Sequence, residues 1–315
     1  MIIFAQVAPC RGRWLHVAHP RYHWYVNDGE LWTHHDAVVN GVRLHFVEQG
    51  EGPLVVLLHG FPEFWYSWRH QIPVLAKAGF RVIAPDQRGY NTSEKPSGVR
   101  SYRIEPLVDD VAALIEHAGE SSAVVVGHDW GGAIAWATAM LRSEVVEKLV
   151  VLNAPHPQAL QREFRRFRQL ARSWYIFFFQ LPWLPEAAIR FGGYRVLDRG
   201  LRRETKRPAA FSDKDIAAYK EALSQPGALT AAINYYRAAV RRNPFESAGM
   251  IRQIDVPSLL IWGEQDPYLG LELTDGLEQW VPNIRVERIP ESSHWVQVDA
   301  AERVNELMIG FMRGS

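Results

Sequence analysis

The chain has 315 residues, 47% hydrophobic and 12% aromatic, enough to bury the core of one large α/β domain with an insertion, or of two modest domains. Its 35 basic and 35 acidic residues cancel, which argues against nucleic acid or an acidic polymer as partner. The single Cys10 excludes an internal disulfide framework and no apolar stretch reaches the roughly 18 residues of a transmembrane helix, so a soluble cytoplasmic protein with no membrane span is expected.

Residues 1–34 read as an N-terminal arm, packed on the domain or disordered. They carry His16, His19, His23 and His34, with His35 next in line, but the spacing matches no compact metal-ligand motif and no metal is expected. Met1-Ile2-Ile3-Phe4-Ala5 is too short for the core of a signal peptide. Strands are then expected at 42–49, 54–58, 81–84, 123–126, 148–153, 258–262 and 285–289. The last six are short Val, Ile and Leu runs, as in strands buried on both faces. Helical patterns fall between them at 66–78, 105–117, 132–142, 271–280 and 300–312. This alternation implies a mostly parallel sheet with helices on both faces. From 157 to 245 helical, aromatic-rich sequence runs on without strands, which reads as a helical cap inserted into a core formed by 35–156 and 246–315. Within the cap, Arg162, Arg165, Arg166, Arg168 and Arg172 alternate with Phe164, Phe167 and Leu170. A solvated face over a buried stripe is the favoured reading, ahead of a membrane-surface helix.

The chemistry centres on Gly127-His128-Asp129-Trp130-Gly131, between the apolar run Ala123–Val126 and a small-residue helix. This is the strand–turn–helix setting of a nucleophile elbow, with Asp129 where a serine usually stands. A serine suits acyl transfer. A carboxylate suits displacement at an sp3 carbon, because the ester it forms is then hydrolysed at the enzyme's own carbonyl. His59-Gly60-Phe61-Pro62 follows the strand at 54–58, where an oxyanion loop belongs, so the N–H groups of Phe61 and Trp130 are the expected oxyanion donors. Ser292-Ser293-His294-Trp295 follows the last strand, which suits His294 as the base that activates water. In Gly263-Glu264-Gln265-Asp266-Pro267, Asp266 is favoured over Glu264 as the acid that orients it, while Asp86 is assigned to the Asp86-Gln87-Arg88-Gly89 turn.

These motifs, with His59–Glu63, Asp86–Tyr90 and His294-Trp295, resemble the epoxide hydrolase group of α/β-hydrolases, from about residue 36 to the C-terminus. The resemblance implies an α/β-hydrolase fold, a covalent ester on Asp129, an epoxide and water as reactants, and no metal or organic cofactor. It also implies two cap tyrosines that donate to the epoxide oxygen. Tyr175, in Tyr175–Gln180, and Tyr236, in Asn234-Tyr235-Tyr236-Arg237, match them. Phenols suit the task because they stay protonated at neutral pH. Tyr235 points elsewhere if the segment is helical. Trp174, Phe179, Trp295 and Pro62 are expected to border a pocket for a small apolar epoxide. The runner-up is a haloalkane dehalogenase, with Trp130 and Trp174 or Trp183 holding halide by indole N–H groups. A non-catalytic apolar-ligand binder is a third reading, disfavoured because a buried Asp–His–Asp set costs stability. A homodimer is left open.

Overall fold

Valine, isoleucine and leucine runs make the centre of a sheet here because strands covered on both faces have no solvated side to alternate with. The computed structural model describes residues 15–19, 22–26, 31–207, 210–241 and 251–314. Among them are ten strands: β1 Leu15–His19, β2 Tyr22–Val26, β3 Thr33–Val39, β4 Val42–Gln49, β5 Leu54–Leu58, β6 Arg81–Pro85, β7 Ala123–His128, β8 Val146–Leu152, β9 Ser258–Gly263 and β10 Ile284–Ile289. They form one sheet in the order β1-β2-β3-β4-β6-β5-β7-β8-β9-β10. The strands from β6 to β10 in that order pair in parallel, and β1 to β4 extend the sheet antiparallel. All of β5, β7 and β9 is buried. At the sheet edge β10 keeps every residue but Ile289 at least partly exposed, so the run expected to be buried on both faces is an edge strand.

Around the sheet lie α1 Ile72–Lys77, α2 Ile104–His117, α3 Trp130–Leu141, α4 Pro157–Glu163, α5 Phe167–Arg172, α6 Trp174–Phe178, α7 Leu184–Glu204, α8 Asp213–Ser224, α9 Ala228–Val240, α10 Val296–Asp299 and α11 Ala301–Met312. Helices α4 to α9 all fall between β8 and β9, with no strand among the described residues there. The chain leaves β5 for β6 and returns past it to β7, so the strand order reverses between β5 and β7. Crevices open beyond the carboxyl ends of strands at such a reversal. The pairing of Leu58 with Gly127 sets the loop after β5 beside the turn after β7.

Four expectations are corrected. The boundary at residue 35 cuts β3, a strand whose His and Asp residues mask its alternating burial. Residues 15–19 and 22–26, assigned to an arm, pair as a hairpin that joins β3 through Tyr25 and His34. The helix expected at 66–78 is a 3-10 turn, Trp65–Trp68, followed by α1. The helix expected at 271–280 is two 3-10 turns, Leu271–Thr274 and Leu277–Gln279, because Gly276 between them takes φ 64° and interrupts the helical path.

Candidate active site

Asp129 sits at the apex of the turn from β7 to α3 with φ 49° and ψ −118°, a conformation L residues rarely hold. Glycine makes the turn feasible. A Cβ on Gly131 would strike the Leu58 carbonyl, and one on Gly60 would strike the Asp129 side chain. The oxyanion loop and the elbow therefore close to contact distance. The Phe61 N–H donates to Asp129 Oδ1 at 2.7 Å, and His294 Nε2 lies 3.6 Å from Asp129 Oδ2. Trp130 is the first residue of α3, where a backbone N–H has no partner within the helix.

His294 Nδ1 is 2.7 Å from Asp266 Oδ2. The loop after β9 wraps this acid: Tyr268 and Leu269 N–H donate to Asp266 Oδ1 at 2.8 and 2.9 Å. The backbone N–H of Glu264, the rival acid, goes to the Ile289 carbonyl. Asn153, absent from the sequence reading, also holds Asp266. It is fully buried, sits at φ 38° just past β8, and its Nδ2 donates to Asp266 Oδ2 at 2.8 Å. A lone Asn after a strand carries no pattern that marks it. Asp86 accepts from the Trp65 N–H, the Asn91 amide and His45, and so organises its turn away from the triad.

Burial opposes charge on both Asp129 and His294, yet each is held in its charged form by the other. For His294, the charge of Asp266 and hydrogen bonds to Asp129 and Asp266 outweigh burial and raise its pKa well above 6.5. For Asp129, the hydrogen bond and charge of His294, then the charge of His128 and the Phe61 N–H, outweigh burial and lower its pKa.

Behind the triad is a second buried network the sequence did not flag. His128 Nδ1 is 2.7 Å from Glu63 Oε2, and its Nε2 is 2.9 Å from the His294 carbonyl. Glu63 Oε2 also accepts the Gly60 N–H at 3.0 Å, and Gln297 Nε2 donates to Glu63 Oε1 at 3.1 Å. Glu63 and His128 thereby tie the oxyanion loop, the elbow and the histidine loop together.

The cap places Tyr175, on α6, and Tyr236, on α9, above the elbow. Their rings meet edge-on at 5.9 Å, and Tyr236 meets Trp130 at 5.0 Å and Phe61 at 5.4 Å. Burial first, then the charge of Asp129, raises the pKa of both phenols, so they stay protonated. Tyr175 makes no side-chain hydrogen bond among the described residues, and Tyr236 stands edge-on to the Trp130 ring. The expectation that Tyr235 faces elsewhere is corrected in part. Its ring also borders the cavity, but its hydroxyl is engaged by the Arg88 carbonyl at 2.8 Å.

A cavity of about 640 Å³ opens from Asp129 between α3 and the cap, lined largely by apolar side chains such as Ala133, Ala137, Met140, Leu160, Phe164 and Ile176. None of the four expected pocket residues lines it. Trp174 is 63% exposed and faces an outer cleft, because one helical step from Tyr175 turns it outwards. Phe179 is buried behind Tyr236 and Phe61, at 4.9 and 5.6 Å. Trp295 is buried against His294 at 5.3 Å, and Pro62 follows a cis peptide bond in the oxyanion loop. Leu170, read as part of a buried stripe, is 39% exposed at the cavity rim, while Arg165, Arg166 and Arg168 are exposed. Among the described residues no cluster of three or more His, Cys, Asp or Glu could hold a metal, and no helix is long and apolar enough to cross a membrane.

The family described as the alpha/beta hydrolase fold matches residues 53–301. The chain is 45% identical to AB hydrolase superfamily protein YfhM of Bacillus subtilis over 277 residues, 87% of this chain and 96% of that one. It is 36% identical to Epoxide hydrolase 2 of Caenorhabditis elegans over 290 residues, 89% of this chain and 80% of that one. Among solved structures, a mutant epoxide hydrolase from Bacillus megaterium, complexed with its product, a naphthyloxy-propane-diol, superposes with a TM-score of 0.79. It is 36% identical, over 88% of this chain and 99% of that one.

Removing one partner of a fully buried pair strands the other. Glu63→Ala should therefore lower unfolding stability by about 3–5 kcal/mol in urea denaturation. A loss below about 1 kcal/mol, the scale of an exposed pair, would contradict this reading of the network.

Proposed function

We propose that this chain, which belongs to the epoxide hydrolase family of the α/β-hydrolase fold, converts apolar epoxides with one bulky hydrocarbon arm into vicinal diols by way of an ester on Asp129. One observation carries the reading: an ionised carboxylate at the elbow, with one oxygen on an amide donor and the other beside a histidine, under two neutral phenols. In the first step an Asp129 oxygen attacks a ring carbon. The C–O bond breaks, and Tyr175 and Tyr236 donate to the departing oxygen, one proton completing the new hydroxyl.

Ester formation prepares the second step. It cancels the charge of Asp129 and its hydrogen bond to His294, two of the influences that raise the histidine's pKa. His294 then falls towards the neutral imidazole that can take a proton from water. The hydroxide attacks the Asp129 carbonyl carbon, and the Phe61 and Trp130 N–H groups receive the oxyanion. Its collapse expels the diol oxygen, which takes up one of the water's two protons; the other stays on His294 beside the restored carboxylate, and the proton His294 gave up on esterification replaces the one lost by the phenol.

The apolar cavity supports a hydrocarbon substituent on the epoxide, and the naphthyloxy product of the Bacillus megaterium relative is of that class. Halide displacement is not favoured: Trp174 and Trp183 are 63% and 72% exposed, and the Trp130 ring is packed edge-on against Tyr236. We also propose a cytoplasmic location, supported by the lone Cys10.

Three outcomes follow. His294→Phe should block ester hydrolysis and leave an alkyl adduct on the Asp129 peptide by mass spectrometry; unmodified peptide after incubation with an epoxide the native enzyme turns over would falsify the scheme. Tyr175→Phe with Tyr236→Phe should slow alkylation by about 10²–10⁴-fold in single-turnover measurements, and an unchanged rate would remove the phenols from the chemistry. Hydrolysis should rise with pH as His294 loses its proton. Asp266→Asn removes a charge that raises the histidine's pKa, so the acid limb of the hydrolysis rate should move to lower pH while the plateau drops; an unmoved limb counts against Asp266 as the orienting acid.

A further inference from the structure

Cap and core meet at the loop that follows Asp266. From α5, Gln169 Nε2 donates to the Tyr268 carbonyl at 2.9 Å, and its Oε1 accepts the Gly270 N–H at 3.0 Å. From the C-terminal end of α7, Glu204 Oε2 accepts the Tyr268 hydroxyl at 2.5 Å. The backbone end of Tyr268 is fixed separately by its N–H bond to Asp266. A side chain two residues beyond the triad acid is thus pinned at both ends, by the core at its amide and by the cap at its hydroxyl.

What that ring touches gives the pinning a consequence. It stands edge-on to His294 at 5.4 Å and 77°, and edge-on to Tyr175 at 5.6 Å and 78°. One ring separates the base from a cap-borne proton donor and packs on both. Tyr175 and His294 come from different parts of the fold, the first from α6 and the second from the loop after β10. Both must nevertheless address Asp129. Misplacement by about 1 Å at such a centre costs on the order of 100-fold in rate. A phenol bonded to a carboxylate makes a strong, directional anchor, and a half-buried site shields it from competing water.

We propose that Tyr268, anchored by Glu204, is a positioning residue that fixes Tyr175 and His294 relative to each other, so that seating of the cap aligns both steps of the reaction. This rests on the hydrolase reading above. Tyr268 takes no proton and forms no bond to substrate; it acts through its two neighbours. Because it touches the groups of both steps, loosening it should slow alkylation and hydrolysis together, with little effect on substrate affinity.

The test is a double-mutant cycle read on the two chemical steps by rapid quench and mass spectrometry. Tyr268→Phe keeps the ring and removes the anchor, and Glu204→Ala removes it from the other side; each should slow both steps by about tenfold. The double variant should be no slower than the slower single one, because both remove the same bond. Glu204→Gln, whose amide oxygen still accepts the hydroxyl, should recover most of the loss. A pair that only supports the fold would lower the melting temperature of Tyr268→Phe and leave both rates alone, which overturns the proposal. Additive losses, or Glu204→Gln as slow as Glu204→Ala, overturn it as well. The hydrolase reading fails separately, by absence of the Asp129 ester in the His294→Phe enzyme. An ester that forms there, with unchanged step rates in Tyr268→Phe, rejects the positioning role alone.

Discussion

A carboxylate that must attack carbon has to be ionised, aimed and nearly out of water, and those demands conflict. Burial alone would drive Asp129 towards its neutral, unreactive form. The Phe61 N–H on one oxygen and His294 beside the other reverse that tendency while leaving the group facing the cavity. Most of the remaining architecture reads as a consequence. The reversal of strand order between β5 and β7 brings the oxyanion loop to the elbow, and glycines at 60 and 131 allow the final approach. The loops after β9 and β10 deliver Asp266 and His294 to the same carboxyl edge of the sheet.

The cap supplies what a sheet edge cannot. Its helices exclude water over the elbow, which strengthens every charge interaction beneath. They also carry the phenols of Tyr175 and Tyr236 above the elbow. Burial first, and the charge of Asp129 after it, keep Tyr175 and Tyr236 protonated. His294 is held protonated, against its burial, by the charge of Asp266 first and by Asp129 beside it.

Much of this was legible in the chain because the elbow, the oxyanion loop and the triad loops are local signals. A glycine-flanked turn after a strand, or an acid and a histidine after later strands, can be read within a few residues. In the structure His294 lies 3.6 Å from Asp129 and 2.7 Å from Asp266. The cavity wall was not legible. Trp174 is turned outwards one helical step from Tyr175, and its aromatic character suggested a wall where the fold exposes it. Asn153, Glu63 and His128 escaped for another reason. Their work is done across the sheet, in bonds to residues more than 60 positions away.

Chain order and periodicity by themselves determined the alternating α/β core, the inserted helical stretch and the candidate groups for the chemistry, since strand burial and turn geometry depend on neighbours in sequence. Tertiary structure alone decided which aromatic rings face the cavity, which carboxylate meets the histidine, and how cap and core grip the loop at Tyr268. Those are contacts between segments brought together by sheet order, and side-chain direction at such junctions is set by packing from the far side, which no local pattern encodes.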